Sequence, residues 1–125
     1  MAQLKEIVID ADNPAHLARF WAAAVDGYAL RAYDEEEVAR LAALGLTPET
    51  DPSVMVDGPG PTLCFQLRTG PRPERNRLHL DLRATDHAAE VKRLLGLGAT
   101  FWYARDTFTV LRDPEGNQFC VVDAD

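Results

Sequence analysis

Apolar residues recur along the chain with two different periods, and the switches between them divide it into strands and helices. Leu4 to Ile9 is rich in β-branched residues and predicts a strand. Asp12, Asn13 and Pro14 then supply cap residues and a proline suited to a first helical turn. From His16 to Val25 the period becomes helical, with Leu17, Phe20, Trp21 and Ala24 on one face and Gly27 as the stop. Tyr28 to Ala32 reads as a short strand. Asp34 to Leu44 reads as a second helix, with Val38, Leu41, Ala42 and Leu44 as its apolar stripe. Its acidic start, Asp34 to Glu37, suits the positive end of a helix dipole. Thr47 to Pro61 is proline- and glycine-containing loop with a short strand at Ser53 to Val56.

The second half repeats this order. Thr62 to Arg68 and Arg77 to Arg83 are strands by their alternation, separated by a polar connector from Thr69 to Asn76. Thr85 and Asp86 cap a helix from His87 to Leu97, whose stripe is Ala88, Val91, Leu94 and Leu95. Thr100 to Ala104 and Phe108 to Arg112 are strands. Asp113 to Asn117 has the chemistry of a turn, and Gln118 to Val122 is the last strand. The run EIVIDADN from Glu6 aligns with HLDLRATD from His79, each a strand followed by a capped helix. The expectation is one α+β domain of two βαβββ modules, about 1–70 and about 76–125, with a helix over about 34–45 inserted in the first.

Alternation also assigns faces. Ile7, Ile9, Leu63, Phe65, Leu67, Leu78, Leu80, Leu82, Phe119 and Val121 form the apolar sides, which the helices would cover from outside. The opposite side carries Glu6, Gln66, Arg77, His79, Asp81 and Cys120 among Val8, Cys64 and Val122. Polar groups set into an apolar lining are the usual makeup of a small-molecule site.

Composition narrows the function classes. With 46% apolar residues, the 125-residue chain can bury a core. A net charge of −7 and a pI near 4.9 repel phosphate backbones and anionic lipid, so nucleic acid and membrane surfaces are excluded as partners. Cys64 and Cys120 sit inside apolar runs and read as free thiols. The start, MAQLKEIVIDAD, turns polar too early for a signal peptide, and no apolar run reaches the roughly 20 residues of a membrane span. A cytoplasmic location is expected.

Three stretches together resemble the glyoxalase/bleomycin-resistance/dioxygenase, or vicinal oxygen chelate, superfamily. They are IVIDADNP from Ile7 with Phe20-Trp21, NRLHLDL from Asn76, and RDPEGNQFC from Arg112. The small glyoxalase-like domain proteins common in actinobacteria are the most similar group. The resemblance implies a curved, mostly antiparallel sheet around a cavity, frequent homodimers, and a divalent metal held by two histidines and two glutamates. At those four positions this chain has Glu6, Gln66, His79 and Cys120, so one of the four is kept.

Glu6, His79 and Cys120 are each zinc-ligand types, whereas Gln66 offers only a neutral oxygen. The mixed set suits neither magnesium nor a facial-triad iron. No cofactor is therefore expected, with zinc on Glu6, His79 and Cys120 as the metal-bound alternative. His79 and Glu6 are the candidate catalytic pair for proton transfer on a small carbonyl compound. Gln66, Cys120, Arg77, Asp81 and Trp102 are candidate ligand-binding residues, Trp102 by stacking. His16 and His87 are read as solvent-facing. The function expected is a small-molecule-binding, homodimeric glyoxalase-like protein with a degenerate metal site. The alternative is a lyase or isomerase of the same superfamily.

Overall fold

The computed structural model describes residues 1–124. They form two compact units, Met1–Pro71 and the chain from Arg72 onward. The first contains β1 (Glu6–Ala11), α1 (Pro14–Ala24), β2 (Ala29–Leu30), α2 (Glu35–Ala43), β3 (Ser53–Asp57) and β4 (Thr62–Leu67). The second contains β5 (Leu80–Ala84), α3 (His87–Leu97), β6 (Thr100–Ala104), β7 (Phe108–Arg112) and β8 (Gln118–Asp123). Each unit is a βαβββ module with a four-stranded sheet, ordered β1-β4-β3-β2 and β5-β8-β7-β6. In both, the first and last strands pair in parallel and the other pairs are antiparallel. The α+β class and the internal repeat read from the sequence are therefore present. No helix among the described residues is long and apolar enough to cross a membrane.

In the first module, Asn13 caps α1 by accepting the His16 amide at 3.2 Å, and Pro14 opens the helix where no amide partner is needed. Leu17, Phe20, Trp21 and Ala24 turn to the sheet and are buried with Val54, Val56, Leu63 and Phe65. Phe20 and Trp21 meet edge to face at 5.4 Å. Helix α2 is capped by Asp34, whose Oδ1 accepts the Glu37 amide at 2.7 Å. It buries Leu41. The left-handed φ of +76° at Gly45 then lets the chain leave the helix.

In the second module, the Asp86 side chain accepts the Ala89 amide at 3.1 Å to cap α3. The buried side chains are Leu94, Ala99, Val110, Leu111, Phe119 and Val121. The turn before β8 is built around Asp113, which is 2% exposed. Its Oδ1 accepts the amides of Glu115 and Asn117, and its Oδ2 accepts the Asn117 side-chain amide, all at 2.9 Å. Three donors to one carboxylate remove the cost of burying it.

Several boundaries and faces depart from the sequence reading. β5 begins at Leu80, not Arg77. Its ladder starts at Leu80↔Phe119, and the Gln118 amide, one residue earlier on β8, donates to Asn76 Oδ1 at 3.3 Å. The strand expected over 28–32 shrinks to Ala29 and Leu30, which have only Asp57 and Val56 opposite them. Ala88 and Leu95 of the expected α3 stripe are exposed, so the helix rests on a narrower line around Leu94. His87 faces inward: its Nδ1 lies 2.7 Å from Asp123 Oδ1 and its Nε2 2.7 Å from Thr109 Oγ1. A carboxylate only accepts, so Nδ1 donates to Asp123, and Nε2 of the neutral ring accepts from Thr109. The alternation argument missed this, because it concerns a helix start reaching over the sheet. His87→Ala leaves the 6%-exposed Thr109 hydroxyl without its partner, at a cost of about 1–3 kcal/mol in urea unfolding. Combined with Thr109→Val, the loss falls below the sum of the single losses; additive losses would show that ring and hydroxyl act independently.

Candidate functional site

The parallel ladder of β5 and β8 sets Asp81 directly opposite Cys120. His79, the residue just before β5, reaches the same side, as its contact with Asp81 shows. Its Nε2 is 3.3 Å from Asp81 Oδ1. Ligand atoms of His79, Asp81 and Cys120 all lie within 4.8 Å of one another, with the histidine and aspartate exposed and the cysteine half-buried. Both members of the ion pair are mostly solvated, so it adds little to stability; its effect is to orient the imidazole.

Cys120 responds to this setting. Burial, and after it the Asp81 carboxylate, push its thiol above the usual range. Both act against the thiolate, so the neutral thiol dominates near pH 7 and Cys120 is a poor nucleophile there. Cys64, its counterpart in the first module, is buried, with its sulfur 3.5 Å from Ser53 Oγ.

The other sequence-derived residues are distributed differently. Glu6 opens β1 opposite Thr62, while Gln66 lies near the end of β4 opposite Asp10. Four ladder steps separate them, roughly 13 Å. They share a face but are not brought together. The group that assembles thus differs from the set Glu6, His79 and Cys120 in one member: Asp81 stands with the histidine and thiol. Arg77 lies in the connector outside β5 and is exposed. Trp102 is on β6, with Arg112 Cζ 4.0 Å above its ring. The residue that sequence reasoning left out of the metal set, Asp81, had a signal: the His79-x-Asp81 spacing on a strand.

The donor types of this group fit zinc, for which imidazole, carboxylate and thiolate are all ligands and three protein ligands leave a position open. Binding would have to displace the Cys120 proton.

The first module has a cleft of about 290 Å³ beside α2, lined by Arg31, Tyr33, Leu41, Asp51 and Met55 among others. Arg31, Tyr33 and Asp51 of its lining are engaged in hydrogen bonds. Arg31 donates twice to Asp57, at 2.8 and 2.9 Å, and Tyr33 donates to the buried Asp51 at 2.8 Å. Burial and then Asp51 hold the Tyr33 phenol well above its usual range, so it stays protonated. The Asp51 and Asp57 carboxylates at or beside this cleft are thus already paired within the first module.

The Cys120 assignment has a direct check. In a Cys64→Ala background, iodoacetamide is expected to alkylate the folded protein more slowly than a free thiol at pH 7.5. Asp81→Asn removes a carboxylate that raises the thiol and speeds the reaction several-fold. An unchanged rate in Asp81→Asn would show that burial alone controls the thiol.

The comparisons with known proteins agree with this geometry at the level of the fold. No curated protein is a significant match. Among solved structures, a glyoxalase/bleomycin resistance protein/dioxygenase family enzyme from Burkholderia phytofirmans is 15% identical, with 98% of each chain covered and a TM-score of 0.72. A fosfomycin resistance protein from Mesorhizobium loti is 12% identical, covering 100% of this chain and 94% of that one, with a TM-score of 0.69. The trypanothione-dependent glyoxalase I of Leishmania major is 15% identical over 98% and 87% of the two chains, with a TM-score of 0.63. The family model described as glyoxalase-like domain matches residues 6–122, and with two βαβββ modules of the same strand order this chain belongs to that family.

Proposed function

We propose that this protein is a cytoplasmic, homodimeric small-molecule-binding member of the glyoxalase-like family, with its ligand seated against His79, Asp81 and Cys120. The observation that carries the reading is the convergence of an imidazole, a carboxylate and a protonated thiol on one side of the second sheet, open enough to meet a ligand. Imidazole and thiol can each donate a hydrogen bond, and Asp81 accepts one. The ligand class is a small, oxygen-rich metabolite or drug. Binding in this reading does not require a metal, because only His79 of the family's usual ligands is kept. When zinc is present, His79, Asp81 and Cys120 are the residues to hold it, and it would polarise a bound carbonyl.

A second reading, a lyase or isomerase on a small carbonyl compound, draws support from the His79–Asp81 contact at 3.3 Å. A carboxylate-oriented imidazole is a suitable proton carrier. Here Asp81 takes the orienting part that the sequence reading gave to Glu6.

The two readings separate by experiment. In a thermal-shift screen of small oxygenated metabolites on protein made without a histidine tag, stabilising compounds are expected. At 100 times Kd the gain approaches about 2.7 kcal/mol. It is lost in His79→Ala and retained after EDTA treatment. Ligand shifts that vanish with EDTA and return with zinc would replace this reading with a metal-dependent one. Product formation from a hit, followed by NMR, would favour the lyase or isomerase.

A further inference from the structure

The second module has a cleft of about 370 Å³ lined by Arg72, Arg75, Arg112, Trp102, Asn76 and Gln118, with Glu74 and Glu115 also at its wall. Its position follows from the β7–β8 ladder. Arg112 is opposite Gln118, and Val110 is opposite Cys120. Gln118 and Cys120 share a face and are separated by about 7 Å along β8. The cleft is therefore the next step along the same strand from the group around Cys120.

Two devices shape it. β6 has a bulge: Phe101 is opposite Leu111 and Tyr103 opposite Val110, which leaves Trp102 as the extra residue. A bulge sends two consecutive side chains toward one side. Trp102 and Tyr103 accordingly meet at 5.4 Å and 74°, and Trp102 keeps 42% of its surface open. The second device is the anchoring of the arginines. Arg112 Cζ lies over the Trp102 ring, 4.0 Å from its centre. Arg72 is fixed by donating through Nη2 to the Gly116 carbonyl at 2.6 Å and to Asn117 Oδ1 at 3.3 Å. Gly116, at a φ of +86°, belongs to the turn built on Asp113. Among the described residues, none of Arg72, Arg75 and Arg112 forms an ion pair.

In a chain of net charge −7, three unpaired arginines in one cleft are a local reversal of sign. Against Glu74 and Glu115 they leave one surplus positive charge, which matches a monoanion better than a phosphate. The exposed part of the Trp102 ring suits stacking by a planar ring, and the guanidinium beside it suits a carboxylate. We propose that this cleft is a subsite for the aromatic carboxylate portion of the ligand. This rests on the small-molecule reading above and adds the ligand's class.

The probe is 4-nitrobenzoate, with uncharged 4-nitrobenzamide as its isostere, titrated into ¹⁵N-labelled protein. The expected result is a saturable shift of the Trp102 indole signal, with that of the buried Trp21 unmoved. Affinity falls at least tenfold for 4-nitrobenzamide, at least tenfold in Arg112→Gln and several-fold in Arg72→Gln, while Lys92→Gln, a charge change at an exposed position of α3 outside the cleft, stays within threefold of the parent. Equal binding of the two probes, no saturable shift, or full affinity in both arginine variants would overturn the subsite. Nitrobenzoate binding by a protein with no His79-dependent ligand would overturn the earlier reading and leave the subsite standing. Should Arg112→Gln fail to fold, the probe comparison and Arg72→Gln still decide.

Discussion

The parallel pairing of the first and last strand in each module is the constraint on which the rest depends. Parallel neighbours cannot be joined by a tight turn, so a crossover must intervene, and here it holds a helix and two further strands, with α2 added in the first module. That requirement produces the βαβββ order and covers one side of each sheet with a helix. It also sets register. Leu80, Asp81 and Leu82 face Phe119, Cys120 and Val121 in step; Phe119 and Val121 go into the core, with Leu80 and Leu82 half-buried on the same side. The middle pair is thereby directed to the opposite side. The Asp113 turn delivers β8 into this register, and its buried carboxylate holds the chain where β7 ends and β8 starts.

The two modules share topology but differ in chemistry, and the alignment of their first strands shows where. Glu6 corresponds to His79, and Val8 corresponds to Asp81. In the first module Val8 pairs with Cys64, whereas in the second Asp81 pairs with Cys120. A valine in place of an aspartate leaves the first thiol in a packed setting. The second thiol has a charged neighbour and a histidine within reach. Two residue differences at matching positions, Glu6 against His79 and Val8 against Asp81, thus accompany the different settings of the two thiols.

Much of this was legible in the sequence because it depends on short-range rules. The caps at Asn13, Asp34 and Asp86, the glycine exits and the Asp113 turn are each set by residues within a few positions of one another. The repeat gave the βαβββ order of both modules, and the pairing of first with last strand comes from the ladders. What escaped depends on contacts between distant segments. The start of β5 is decided by where Asn76 meets the Gln118 amide. The burial of His87 is decided by strands 22 and 36 residues away. Alternation marked the right face for Asp81 and Cys120, but only the ladder register made them direct neighbours. It also separated Glu6 from Gln66 on a face they share.

The bulge in β6 has a meaning in terms of chain length. Trp102 and Tyr103 look to one side because the strand holds one residue more than a regular ladder against β7 needs. Loss of the Trp102 codon would restore regular pairing and leave Tyr103 alone on that side, with no change in residue type elsewhere. Among related chains, the presence of an aromatic shelf beside Arg112 is therefore to be looked for in the spacing between β6 and β7.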